Sequence, residues 1–353
     1  MNTRNETKQL MVGGVPVGGG APVTVQSMCN TRTEDVEATL RQITALAAAW
    51  CEIIRLAVPN MEAARAISAI KERSPLPIVT DIHFDYKLAL ECAARGADAV
   101  RINPGNIGGV ENVAAVARAC SLHNIPIRIG VNGGSLEKSL LEKYGHPTAE
   151  AMVESAGEHI RLLNDCGFDD IALSMKSSSV PLTAAAYRLA AETFRYPLHV
   201  GVTETGTEYN GLVRSAMGIG ALLLDGIGDT IRVSLTADPL REVEAGVAIL
   251  KAAELRRGGV RFVSCPTCGR TQIDLIGLAH QVETRLSGCK RDITVAVMGC
   301  VVNGPGEARE ADYGVAGGKG CGLLFRKGEI VRRVDEESIV EALAQMIESE
   351  GET

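Results

Sequence analysis

The sequence has few aromatic residues, no long apolar run and no block of basic residues. Only 3% of its 353 residues are aromatic, and the interspersed 22% that are charged give a formal net charge of -7. Nucleic-acid-binding proteins use aromatic platforms and basic patches, so we expect no nucleic-acid partner. No apolar stretch reaches the roughly 18 residues that a spanning helix needs, so we expect no membrane partner.

The first ten residues, MNTRNETKQL, also lack the apolar core of a secretory signal. This predicts a cytoplasmic protein whose thiols stay reduced. The chain nevertheless has ten cysteines. In a reducing compartment, that number points to metal or redox chemistry rather than to disulfide bonds.

From about residue 23, short apolar runs alternate with amphipathic stretches of helical length. This pattern is typical of repeated strand-helix units in a parallel sheet. Eight such units predict an α/β fold, a TIM (β/α)8 barrel over residues 1–256, followed by a smaller α/β domain over residues 257–353. The predicted strands are VTVQSM, EIIRLA, PIVTDI, AVRIN, PIRIGV, IALSM, LHVGV and TIRVSL, which start at Val23, Glu52, Pro77, Ala99, Pro126, Ile171, Leu198 and Thr230.

Within these strands, apolar residues occupy one parity, and polar or small residues occupy the other. In the fifth strand, for example, Ile127 and Ile129 should face the helices while Arg128 points inward. The chemistry of this fold lies at the C-terminal mouth of the barrel, so these inward or strand-end residues form our predicted substrate site. They are Arg55, Asp81, His83, Arg101, Asn103, Arg128, Asn132, Ser174, Lys176, Arg232 and Ser234, with Glu204 as an acid/base candidate.

Four arginines and one lysine at one mouth of an acidic protein predict an anionic ligand. Arginine binds phosphate oxygens through paired, charge-assisted hydrogen bonds, so we favour a ligand that carries phosphate. The alternative is an internal ion-pair network in which Asp81 and Glu204 neutralise the arginines and merely fill the barrel. His83 and His199 are predicted to be hydrogen-bonded structural residues.

Beyond the boundary segment RRGG, the strand VRFVS leads into Cys265-Pro-Thr-Cys268, and the strand within DITVAVMGC leads to Cys300. A Cys-x-x-Cys motif suits a structural zinc, an iron-sulfur cluster or a redox dithiol. Zinc needs a fourth ligand, and the domain offers only one histidine, His280. A dithiol leaves Cys300 unexplained, whereas a cluster held by three thiolates leaves one iron open to an oxygen ligand.

The spacing does not choose Cys300 over two other cysteines of this domain, Cys289 and Cys321. The rest of the domain predicts a hairpin, LLFRKGEIVRRV, and a terminal helix from about Glu336. The cysteines of the barrel are predicted to be small buried apolar residues, and they are Cys29, Cys51, Cys92, Cys120 and Cys166.

Taken together, the motifs closely resemble those of the bacterial 4-hydroxy-3-methylbut-2-enyl diphosphate synthase family of the non-mevalonate isoprenoid pathway. The resemblance spans nearly the whole chain. Its most specific pieces are SCPTCGR at Ser264 and GCVVNGPGEA at Gly299. It is supported by VQSM, DIHFDY, RINPGNIG, IPIRIGVNGGSLEK, GVTETG and DGIGDTIRVSL.

The resemblance implies a 4Fe-4S cluster in which Cys265, Cys268 and Cys300 bind three irons. Glu307 would bind the fourth iron and yield to an oxygen of the substrate. The implied small diphosphate substrate is 2-C-methyl-D-erythritol 2,4-cyclodiphosphate, whose ring is opened and whose hydroxyl is removed. Two electrons from flavodoxin or ferredoxin would pass singly through the cluster.

The resemblance further implies that Glu204 and Asn303 flank the reacting carbons, with Glu204 as a proton donor. It implies a head-to-tail homodimer and a hinge near Arg256 to Gly259. The diphosphate would lie among Arg55, Arg101, Arg128, Lys176, Arg232 and Ser234. Two alternatives remain: a lyase or aldolase with a structural zinc domain, and a redox sensor without catalytic activity.

Overall fold

The structure, a computed structural model, describes residues 3–300 and 308–349. The chain divides into two compact units, Met1–Arg256 and Arg257–Thr353. Each unit has an apolar core of its own. None of the helices in the described ranges has the length and apolar character needed to cross a membrane.

The first unit is a parallel barrel preceded by a two-stranded hairpin. Strands β8 and β9, at the two ends of its eight-stranded sheet, are joined by a bridge between Leu173 and Leu198, and the strand order is β8-β7-β6-β5-β4-β3-β10-β9. The predicted TIM barrel is therefore confirmed. The hairpin strands are β1 (Leu10–Val12) and β2 (Val15–Val17), and the barrel strands β3 to β10 are Thr24–Met28, Ile53–Ala57, Ile78–Asp81, Ala99–Ile102, Ile127–Asn132, Ile171–Lys176, His199–Val200 and Thr230–Ile231.

The hairpin closes the N-terminal end of the barrel. Val12 and Val17 pack against Ile53, Val79 and Ala99, which lie at the beginnings of β4, β5 and β6. The sequence analysis missed this hairpin because each of its strands has only three residues. With this end filled by apolar side chains, the C-terminal mouth is left for a ligand.

The barrel is covered by helices with apolar inner faces. In the first of them, Leu40, Ile43 and Leu46 are buried, and the side chain of Asp35 caps the N-terminus by accepting the N–H of Ala38. Helices α1 to α9 are Val36–Ala48, Met61–Arg73, Tyr86–Ala94, Val110–His123, Lys138–Tyr144, Ala149–Asp165, Val180–Thr193, Glu208–Leu224 and Pro239–Ala252.

Four of the five barrel cysteines are buried as predicted. The fifth, Cys166, is only half-buried, and that prediction was wrong. Cys166 is the C-cap of α6, where the helix leaves the barrel wall and the side chain reaches solvent.

The second unit is the predicted small α/β domain. Its strand order is β11-β12-β13-β14-β15, with the first three strands parallel and the last two antiparallel to their neighbours. The predicted hairpin and terminal helix are both present. The elements in chain order are β11 (Val260–Ser264), α10 (Leu275–Leu286), β12 (Ile293–Met298), β13 (Tyr313–Gly318), β14 (Cys321–Arg326), β15 (Glu329–Asp335) and α11 (Ile339–Glu348).

Candidate active site

Five cationic side chains converge in the interior, four of them on barrel strands and the fifth, Arg232, directly after β10. Burial and then the charges of Arg232 and Arg101 lower the pKa of Arg55 to about 9. Burial and neighbouring arginines also lower the pKa of Arg128 and of Lys176 well below their ordinary values. Mutual repulsion of this kind destabilises the protein unless an anion lies among the cations.

Two carboxylates offset part of this charge. Asp81 lies 3.7 Å from Nε of Arg55 and 3.2 Å from Nη1 of Arg101, and Glu242, from α9, lies 3.6 Å from Nη2 of Arg232. Burial raises the pKa of Asp81, but the contact with His83 and the charges of Arg55 and Arg101 outweigh it, so the pKa falls below its usual range. Asp81 is therefore ionised, and the cluster keeps a positive excess.

Arg128 has a hydrogen-bond partner for only one of its three guanidinium nitrogens among the described residues. Its Nη1 donates to Oε1 of Gln26 at 2.6 Å, while its buried Nε and Nη2 have no hydrogen-bond partner among the described residues. Nε of Arg232 is likewise buried without a partner in the described part of the chain. Buried donors are normally satisfied, so these groups fit an anionic ligand better than a closed ion-pair network.

Gly130, on β7, makes room for the guanidinium of Arg101. A Cβ atom at residue 130 would collide with the Nη2, Nε and Cζ atoms of Arg101. Residue 130 points inward by the same parity as Arg128. The small residue at this position therefore lets Arg101 reach Asp81.

The other predicted site residues lie on the barrel strands or in the segments that follow them, and they differ in burial. His83 is exposed, with its Nε2 atom 3.6 Å from Oδ2 of Asp81. Asn103 and Ser174 are buried, whereas Asn132 and Ser234 are half-buried. Glu204 is exposed in the loop after β9 and has a left-handed backbone, with φ of 54°. A non-glycine residue in this conformation carries backbone strain, which often accompanies functional sites.

His199 is fully buried below the cations. Burial, followed by the charges of Arg128 and Lys176, lowers its pKa well below the ordinary value. Its Nδ1 atom lies 3.4 Å from Oγ1 of Thr230. The imidazole is therefore neutral at physiological pH, and its buried Nε2 atom has no hydrogen-bond partner among the described residues.

Sequence reasoning missed three residues that contact the cations. Gln26 contacts Arg128, Met28 accepts hydrogen bonds from Nε and Nη2 of Arg55 at 3.1 and 2.9 Å, and Glu242 faces Arg232. Gln26 and Met28 share the inward parity of β3, so the strand pattern held a usable signal. Glu242 lies on a helix, where no strand parity points to it.

In the second unit, two cysteines leave neighbouring parallel strands at the same edge of the sheet. Ser264 pairs with Val297, so Cys265 follows β11 close to where Cys300 follows β12. The N–H of Gly299 donates to Sγ of Cys265 at 3.2 Å. Hydrogen bonds of this type stabilise a thiolate and tune iron-sulfur centres.

Cys268 is exposed, and its environment favours the thiolate. Hydrogen bonds from the backbone and side chain of Arg270 lower the pKa of this thiol, and the thiolate is the form that binds metal. Cys289 precedes β12 at the opposite edge of the sheet, and Cys321 begins β14, two strands from β12.

The remaining predicted ligand and catalytic residues, Asn303 and Glu307, lie outside the described residues. Within residues 3–300 and 308–349, no three His, Cys, Asp or Glu side chains gather as a site for a single metal ion. The donors that the structure describes are soft cysteine sulfurs, and one of them, Sγ of Cys265, accepts a hydrogen bond. This chemistry fits an iron-sulfur cluster.

Comparison with known families assigns both units. Residues 7–247 match the GcpE TIM-barrel domain, and residues 261–349 match the GcpE protein C-terminal domain. A protein of Geobacter sulfurreducens named 4-hydroxy-3-methylbut-2-en-1-yl diphosphate synthase (flavodoxin) is 62% identical, over 97% of this chain and 97% of its own. A protein of Bacillus subtilis with the same name is 55% identical, over 98% of this chain and 92% of its own.

Among solved structures, N-acetylneuraminic acid (sialic acid) synthetase from Leptospira borgpetersenii aligns with a TM-score of 0.51 and 13% identity. The alignment covers 70% of this chain and 90% of that one. At this identity the likeness concerns the fold alone, and it agrees with the barrel described above.

Proposed function

We propose, since this chain belongs to the GcpE family, that it reduces 2-C-methyl-D-erythritol 2,4-cyclodiphosphate to 4-hydroxy-3-methylbut-2-enyl diphosphate for isoprenoid precursor synthesis. Two domain matches and near-complete alignment with the named relatives support this assignment. The enzyme is then an iron-sulfur oxidoreductase of the cytoplasm.

The observation that carries the proposal is the state of Arg128. Its Nε and Nη2 atoms are buried donors without a partner in the described residues. They belong to a cluster of five cations, of which Arg55, Arg101 and Arg232 lie within 4 Å of a carboxylate. The diphosphate of the substrate supplies both the missing acceptors and the missing negative charge. Arg55, Arg101, Lys176, Arg232 and Ser234 complete the proposed diphosphate cradle.

The rim residues orient the rest of the substrate in this proposal. Asn103, Asn132 and Ser174 offer hydrogen-bonding groups at the mouth, and Asp81 holds Arg55, Arg101 and His83 in place. Glu204 and Asn303 flank the reacting carbons, and Glu204 donates the proton with which the hydroxyl leaves as water.

The second unit holds the cofactor. Cys265, Cys268, Cys300 and Glu307 are the proposed ligands of a 4Fe-4S cluster, which supplies two electrons one at a time when bound. The lowered pKa of the Cys268 thiol favours the thiolate form that binds iron, and the Gly299 N–H donates to the sulfur of Cys265.

The relatives carry flavodoxin in their names, which favours flavodoxin over ferredoxin as the electron donor. The resemblance supports a head-to-tail homodimer in which the cluster domain of one subunit closes over the barrel of the other.

An anaerobic assay tests the proposed function. Protein reconstituted with iron and sulfide should convert the cyclodiphosphate when reduced by dithionite, and the product should be detected by mass spectrometry. The protein should not convert a diphosphate compound that lacks the cyclic diphosphate. A protein that carries a full cluster and binds the compound without converting it would be a sensor, and the proposal would be wrong.

A further inference from the structure

A buried histidine and a half-buried glutamate contact each other beneath two loops of the barrel mouth. His159, on α6, has a side chain only 3% exposed, and its Nε2 atom lies 3.2 Å from Oε1 of Glu137. Glu137 immediately precedes α5, in the loop that follows β7. The predicted site residues included neither of them.

The loop that follows β6 contacts the same pair. The N–H of Gly105 donates to Oδ1 of Asn103 at 3.0 Å. A Cβ atom at residue 105 would lie 3.0 Å from Nε2 of His159 and 3.5 Å from Oε1 of Glu137. A side chain at residue 105 would therefore press against the imidazole.

One asparagine of the proposed substrate site lies at the start of each loop. Asn103 directly follows β6, and Asn132 is the last residue of β7. The carboxamide oxygen of Asn103 accepts the N–H of Gly105. The amide nitrogen of that side chain can then donate to a ligand. A shift of either loop would therefore move a donor or acceptor away from the substrate.

The contact with His159 favours the ionised form of Glu137. The hydrogen bond from His159 lowers the pKa of Glu137 to about 2, so the carboxylate is charged at neutral pH. Nδ1 of His159 is buried without a hydrogen-bond partner among the described residues. An unsatisfied buried nitrogen costs free energy, and a leucine would fill a core position on α6 without that cost.

We propose that His159 and Glu137 are positioning residues that fix the two asparagine loops relative to each other, so that Asn103 and Asn132 meet the cyclodiphosphate together. The inference rests on the proposed function. Helix α6 holds His159 in a fixed position, because Met152, Ala156 and Ile160 of this helix pack in the barrel core.

Replacement of His159 tests the assignment. His159→Leu should raise KM for the cyclodiphosphate about tenfold, because a misplaced binding group loses affinity. The iron content and the absorption spectrum of the cluster should not change. His159→Gln places an amide nitrogen near the position of Nε2, so it should restore most of the affinity. If His159 only filled the core, KM of His159→Leu would stay closer to the wild-type value than KM of His159→Gln, because leucine would be the better replacement.

The chain offers a matched control in the ion pair between helices α5 and α6. Lys143, on α5, lies 2.6 Å from Oε2 of Glu154, on α6. This ion pair is exposed and does not contact the asparagine loops. Lys143→Met should therefore leave KM at the wild-type value.

Two further variants test the same assignment if His159→Leu fails to fold. Glu137→Gln removes the charge, and Gly105→Ala pushes a methyl group against the imidazole, so each should raise KM in the same direction. If the wild-type enzyme works and all folded variants keep its KM, this assignment is overturned while the proposed function stands. If the wild-type enzyme does not convert the cyclodiphosphate, the proposed function fails and this assignment fails with it.

Discussion

Gln26 and Arg128 face each other across the interior of the barrel. Nη1 of Arg128 donates to Oε1 of Gln26 at 2.6 Å. This contact fixes one edge of the guanidinium and leaves its other two nitrogens, both buried, without partners in the described part of the chain. A guanidinium oriented in this way is preorganised to bind oxygen atoms of a diphosphate.

Arg128→Ala should weaken binding of the cyclodiphosphate without affecting the cluster. Loss of charge-assisted hydrogen bonds costs about 3 kcal/mol, or roughly a hundredfold in Kd. Calorimetric titration measures Kd, and the cluster absorption serves as the internal check. Arg73→Ala removes an exposed arginine that pairs with Glu37 and should have no effect. A bleached cluster with unchanged Kd would place Arg128 outside the diphosphate cradle.

Gly130→Ala should displace the guanidinium of Arg101 and weaken its contact with Asp81. The added methyl group collides with Arg101, so KM should rise about tenfold. Gly220→Ala, on helix α8 away from the site residues, is the control, because a Cβ atom there meets nothing within 4 Å. Steady-state kinetics measure KM for both variants. Equal KM values for the two would contradict the role of residue 130 in placing Arg101 for substrate binding.

Cys268→Ser should abolish stable cluster binding, because a serine hydroxyl is a poor substitute for a thiolate ligand of iron. Cys300→Ser should do the same. Cys321→Ser changes a cysteine that the structure buries in β14 and should keep its iron after anaerobic gel filtration. If Cys321→Ser lost the cluster and Cys300→Ser kept it, the third ligand would be Cys321.

Binding of the cyclodiphosphate should weaken as the pH rises, because Lys176 binds the anion in its protonated form. Burial, Arg232 and the other arginines hold the pKa of Lys176 well below 10.5 in the free protein. A bound diphosphate favours the ammonium and raises this pKa again, so between the two values the complex takes up a proton.

Calorimetry in buffers of different ionisation enthalpy measures this uptake. Lys176→Arg keeps its charge over a wider pH range, so its proton uptake should be smaller. Equal uptake by the wild-type protein and this variant would assign the proton to another group. Arg55, whose pKa is lowered to about 9, would then be the first group to examine.

Much of the barrel could be predicted because its strands carry local signals. Runs such as PIRIGV alternate parity, and each polar member, for example Arg128, marks the interior. The convergence of arginines followed from the closed sheet. The cysteine motif could be located in the same way, because Cys265 and Cys268 adjoin a strand end.

Contacts between distant segments could not be predicted. Glu242 and His159 are helical residues whose partners lie on other elements, and their sequence positions look like those of ordinary buried helix residues. The exposure of His83 was also hidden, because strand parity ends with β5 at Asp81. Glu137 and His159 are separated by 22 positions in the sequence, so their contact is visible only in the folded chain.

The most direct test of this account is metal analysis of anaerobically reconstituted protein, combined with paramagnetic resonance of the reduced sample. The account predicts a brown protein with about four irons per chain and a resonance signal that changes when the cyclodiphosphate is added. A colourless protein that carries zinc, or no metal, at Cys265, Cys268 and Cys300 would contradict it.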